Sequence, residues 1–165
     1  MMDLLDFDAQ PLYYDEPLPE GVWALLDEAA ERYAEGGSDA PLAHAEALAP
    51  EALAVLVALY RNHFYRHRLA QAHAVAERAL AVSAARLGWP ADWRELDAEH
   101  VLAAPASNMT ILRFHLMALK ALGYLDLRLG RAELGLARLE RLMRLDPQDR
   151  LGAAALRETA RLAMY

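Results

Sequence analysis

The chain has no cysteine. That excludes disulfides and thiolate metal sites, and it fits a reducing compartment. Glycine is sparse, with 8 residues in 165, and alanine and leucine dominate, so helix is favoured throughout. Long apolar runs are missing as well. The longest, Ala52 to Tyr60, is far short of the ~20 residues needed to cross a bilayer. The first ten residues, MMDLLDFDAQ, carry acids where an export signal needs a basic start, so a cytoplasmic, non-membrane protein is expected. No G-x-S-x-G, phosphate-binding glycine loop or G-x-G-x-x-G occurs.

Apolar residues make 56% of the chain and charged residues 25%, a globular composition of sufficient length for one sizeable core. Net charge is −7 and unevenly spread. Residues 1–60 hold 13 acids and one base, Arg32, a net −12; residues 61–165 hold 11 acids and 16 bases, a net +5. An acidic chain repels nucleic acid at long range, so no nucleic-acid partner is expected.

The most informative stretch runs from Arg113 to Asp149. Two apolar helical patterns meet at Leu129-Gly130-Arg131, and Asp146-Pro147 marks a second stop. Leu119, Leu122 and Gly123 share a face of the first helix; Gly135, Leu139 and Leu142 recur at i, i+4, i+7 in the second. Arg131, Arg138, Arg141 and Arg144 fall mostly on the opposite face. Gly123 invites close approach of a partner helix, which would offset the roughly 1 kcal/mol that a mid-helix glycine costs against alanine. Gly130 supplies a left-handed C-cap. Asp146 is expected to cap the next helix, with Pro147 at its first position.

This unit resembles the tetratricopeptide repeat, whose pattern is W-x2-L-G-x2-Y, then A-x3-F, then P. The match is Leu119-x2-Leu122-Gly123-x2-Asp126, then Gly135-x3-Leu139, then Pro147. Leu119, Asp126 and Leu139 replace the aromatic signatures. Ala72 and Ala79 have the spacing of the repeat's two small residues in a second helical pair. The resemblance implies an all-α fold: about seven helices in antiparallel hairpins, stacked as a short right-handed superhelix. Two segments, LYRNHFYRHRL and ALKALGYLDLRLG, also resemble small uncharacterised proteins encoded near bacterial nitrogen-fixation genes.

In chain order, residues 1–20 read as an acidic, proline-broken arm. It is either a packed extended tail, or a strip lying across the positive face of residues 61–165 or on a partner. Residues 21–165 read as one helical-repeat domain. Hairpins are expected at about 21–50, 51–88 and 108–146, with an irregular insertion at 89–107 and a capping helix at 148–164. The third helix is expected over Glu51 to His67. Trp89, Pro90 and Trp93 are expected to plug an end of a core. Ser107 is the expected cap of the helix from Asn108.

His63 and His67 stand at i, i+4, a spacing that can hold zinc, but they lack a third ligand and the glutamate of the zincin pattern. No metal, no cofactor and no catalytic residue is therefore expected. Asp92, Glu95, Asp97 and Glu99 read as a solvated acidic surface. What remains is a surface. In tetratricopeptide arrays the first helix of each pair lines a concave groove. The resemblance thus implies a groove lined by Lys120, Tyr124 and Arg128 on one helix and by Arg61, Tyr65 and Arg68, with Phe64, on the earlier one. Arginines and aromatics suit an acidic or carboxylate-ended peptide. The expected function is a non-catalytic adaptor binding a partner protein or acidic peptide; self-association into a homo-oligomer and a histidine-based metal protein are the alternatives.

Overall fold

A computed structural model of the chain describes residues 16–164. All regular structure among them is helical, without strands, so the all-α class holds. Eight α-helices are present: α1 (Val22–Arg32), α2 (Asp39–Leu48), α3 (Leu53–Tyr65), α4 (Leu69–Leu87), α5 (Ala98–Ala103), α6 (Met109–Arg128), α7 (Ala132–Leu145) and α8 (Ala153–Ala163). The described chain divides into two compact units, residues 16–79 and 80–164. The acidic arm lies outside the described residues, apart from its last five.

In the first unit, α1 and α2 form a hairpin. Gly36 adopts φ +80°, and the Gly37 N–H donates back to Arg32 at 3.0 Å. Val22, Ala29, Leu42, Ala45, Val55 and Leu56 are buried here. The first N–H of α3 has no local side-chain cap. The Glu16 carboxylate, 37 residues upstream, accepts the Leu53 N–H instead, which satisfies an orphan donor and sets negative charge at the helix N-terminus. α3 ends at Tyr65, two residues before the expected His67. His67 takes φ +57°, and the Arg68 N–H closes the turn on the His63 carbonyl at 2.9 Å.

In the second unit, Gly88 at φ +67° ends α4, with the Trp89 N–H on Ala84 at 2.9 Å. The interval to α6 holds a 3-10 turn at Trp93–Glu95, then α5, then a 3-10 turn at Ala106–Asn108. Trp93 and Leu96 are buried. The Asp97 carboxylate accepts the Glu99 and His100 N–H groups at 3.0 and 3.2 Å, and His100 Nδ1 accepts the Asp97 N–H. This capping box explains Asp97 and His100 as local structure. Ser107 makes no cap bond: the 3-10 turn takes up its position and α6 starts at Met109 with no side-chain cap.

The α6–α7 pair is the densest packing. Leu119, Leu122, Leu125, Leu139 and Leu142 are fully buried. A Cβ on Gly135 would lie 2.8 Å from the Gly123 carbonyl, and one on Gly123 would lie 2.9 Å from Leu139 Cδ2. The two backbones approach that closely because both positions lack side chains. The last helix starts later than expected, at Ala153 and not near 148. Asp149 takes φ +50° and Gly152 φ +70°, which a helix cannot accommodate. Asp146 therefore caps a turn, accepting the Leu151 N–H at 2.9 Å, and Asp149 accepts the Ala154 N–H at 3.1 Å.

Candidate interaction surface

On α3, Arg61 is half-buried and Tyr65 is 37% exposed. Tyr60 and Phe64 stack at 5.7 Å, and Tyr65 meets Phe64 edge-on at 5.6 Å. Arg68 is not a free anchor. Its Nη1 donates to both oxygens of Asp39 at 3.0 and 2.9 Å, which ties the turn between α3 and α4 to the start of α2.

Behind that pair lies a cluster that sequence spacing did not reveal. Ser38 Oγ donates to buried Asn62 Oδ1 at 2.6 Å, and Asn62 Nδ2 donates to Asp39 at 2.7 Å. Arg66 donates to Asn62 and Ser38 and lies 4.9 Å over the Tyr33 ring. The Asn62 amide and then Arg68 hold the Asp39 carboxyl below its usual pKa. Burial, with Arg68 nearby, lowers that of His63. His63 is half-buried, whereas His67 is exposed beyond the helix end. The two therefore do not share a helix face as i, i+4 spacing implied. Among the described residues no group of three or more histidines or acids is placed to hold a metal.

On α6 the expected triple separates. Arg128 is exposed and Tyr124 half-buried. Arg128 Nη1 donates to Tyr124 Oη at 2.6 Å, and its guanidinium sits 5.6 Å from the ring centre. Lys120, the one lysine in the chain, is 6% exposed and does not face outward. The physical reason is that α6 is buried on every side from Phe114 to Gly123, so no polar stripe runs through its centre.

The face of α7 needs the same correction. Arg138 is 4% exposed and its Nε lies 2.8 Å from Asp126 Oδ2, on a carboxylate with no exposure. Arg131 reaches the other Asp126 oxygen at 3.4 Å, and Arg138 lies 5.3 Å from the Trp93 ring. Gly135, Arg138, Leu139 and Leu142 stand at i, i+3, i+4, i+7, so periodicity did place Arg138 on the buried face. A second buried polar contact joins Ser83 Oγ and His115 Nδ1 at 2.8 Å. Trp89 meets the His115 ring edge-on at 5.1 Å. Burial pushes the pKa of His115 down to about 4, so the ring is neutral at pH 7. Ser83 and His115 are both closed to solvent, which bars them from meeting a substrate.

No protein-family model matches the chain, and no solved structure matches it. It is similar to an uncharacterized 19.8 kDa protein in the nifW 5′ region of Azotobacter chroococcum mcd 1. The two are 51% identical over 155 residues, covering 94% of this chain and 86% of that protein.

Proposed function

This chain belongs to the same family as the Azotobacter chroococcum protein, and on that premise we propose that it is a non-catalytic helical adaptor. It binds a partner protein through an acidic segment, in a bacterial nitrogen-fixation context. The place of the relative beside nifW supports the context, and the all-helical fold with its α1–α2 and α6–α7 hairpins supports the class. Right-handed stacking of those hairpins is part of the same proposal.

The observation that carries the reading is the Tyr124–Arg128 pair. Arg128 is exposed, held against a ring, and pairs with no carboxylate among the described residues. A guanidinium fixed in advance loses less freedom when it takes a carboxylate, and its fork geometry favours two-point contact.

The test is titration of a labelled octaglutamate peptide against the wild type and Arg128→Ala. The expected result is saturable binding that weakens about 30-fold in the variant, the scale of a hot-spot loss of ~2 kcal/mol. Equal affinity would remove Arg128 from the site. A self-associating subunit is the second reading, favoured by Leu102 and Leu162, which are 83% and 71% exposed. Light scattering at rising concentration distinguishes it.

A further inference from the structure

We propose that the exposed face of α1 is a second docking surface, which takes a basic amphipathic helix of a partner protein. It is opposite in charge to the surface at Tyr124 and Arg128 and does not rest on it.

Trp23, Asp27, Ala30 and Glu31 stand at i, i+4, i+7 and i+8, one face of α1, and all four are exposed. Trp23 is 48% exposed. Its ring has no aromatic or cationic partner among the described residues. Because α1 and α2 form a hairpin, Leu48, the last residue of α2, lies at the same end as Trp23. It is 44% exposed. Two large apolar side chains thus stand open at one end of the hairpin, and tryptophan is among the residues that anchor interfaces most strongly.

The charge around them selects the partner. Residues 16–60 hold nine acids and one base, Arg32, a net −8. Arg32 is taken by Glu28 at 2.8 Å. Glu16, Asp39 and Glu46 are held by the Leu53 N–H, Arg68 and Arg78. Glu20, Asp27, Glu31 and Glu35 are exposed and form no ion pair among the described residues. Helix stability does not account for them. Asp27 and Glu31 are like charges four residues apart, which repel, and Glu31 lies in the last turn of α1, where the helix dipole disfavours an acid. Lysines or arginines of a docked helix relieve both, and a cation over the Trp23 ring adds attraction. The apolar stripe of the same helix covers Trp23 and Leu48. A second copy of this face would set acid against acid, which disfavours self-docking here.

The probe is a tryptophan-free leucine–lysine amphipathic peptide, titrated against the full chain and followed by tryptophan emission. Trp93 is buried and Trp89 half-buried, so Trp23 is the ring that docking takes from water. The expected result is a saturable blue shift whose midpoint weakens with salt. Trp23→Phe should keep the affinity, read by calorimetry, and lose the shift. Asp27→Asn combined with Glu31→Gln should weaken binding about tenfold, and Trp23→Ala about 30-fold. Arg128→Ala should bind this peptide as the wild type does, so failure of the acidic-peptide reading and failure of this one are told apart. No binding of the peptide, or equal binding by the wild type, Trp23→Ala and the neutralised variant, would overturn the proposal. So would octalysine binding as tightly, since charge alone would then suffice. A concentration-dependent blue shift of the wild type alone would also overturn it, by assigning the face to a second copy.

Discussion

Replacing Gly135 with alanine sets two opposed effects against each other. Alanine in a helix interior is favoured over glycine by about 1 kcal/mol. The added methyl, however, would sit 2.8 Å from the Gly123 carbonyl oxygen and 2.8 Å from Leu127 Cγ. A backbone oxygen cannot rotate away, so α6 and α7 must separate. Overpacking of this kind costs typically ~1–3 kcal/mol. Because the obstacle is backbone, the upper part of that range applies, and the net loss is about 1–2 kcal/mol. For a chain of this size that lowers the melting temperature by roughly 2–8 °C. Gly123→Ala meets the side chain of Leu139 at 2.9 Å first, and fully buried Leu139 has little room to yield. The double variant should cost less than the two single losses combined, since one separation of the helices relieves both contacts. Urea unfolding at constant m-value measures all three. If Gly135→Ala raises the midpoint, propensity has won and the backbones do not approach as closely as described.

Three further outcomes follow from buried groups and one cap. His115 has its pKa lowered to about 4 from an ordinary 6.5. Below pH 6.5 the unfolded chain takes up a proton that the folded one refuses, so stability is complete above pH 6.5 and falls by up to about 3 kcal/mol as pH drops toward 4; unfolding at pH 7 and 4.5 should show this, with the difference reduced in His115→Gln. Asp126→Ala strands buried Arg138 without its counter-charge and should cost about 3–5 kcal/mol, read as a thermal shift. Glu16→Ala should cost ~1 kcal/mol, a typical cap loss, and speed hydrogen exchange at the Leu53 amide.

Glycine and proline chemistry made the hairpins legible. Gly130 at φ +81° ends α6 where the sequence places it, because a left-handed residue is cheap only without a side chain. The face of Leu119, Leu122 and Gly123 against Gly135, Leu139 and Leu142 is buried as periodicity requires. α8 starts later than expected because Asp-Pro is an equally good opening for a turn. Asp149 and Gly152, both left-handed and two and five residues after Pro147, settle the choice, and no helical period passes through them. Likewise Ser107 has a capping residue's chemistry but sits inside a 3-10 turn that absorbs it.

What stayed hidden shares one cause. Patterning treats charge as a marker of solvent, and that holds only where a helix has a wet side. Between Phe114 and Gly123, α6 has none, so Lys120 is enclosed by its position in the helix. Arg138 is enclosed for a second reason: Asp126, 12 residues earlier, meets it across the hairpin, and buried charges persist where they are paired. In the repeat pattern Asp126 stands where an aromatic is expected, so the departure from the motif was itself the signal of an ion pair in the core. The α3 cap was hidden by distance, since Glu16 lies 37 residues from the N–H it accepts. The surface left for recognition is consequently smaller than charge alone implied: Lys120 is buried within α6, Arg138 pairs with Asp126 across α6 and α7, Arg68 is held by Asp39, and Arg128 on Tyr124 keeps an exposed guanidinium.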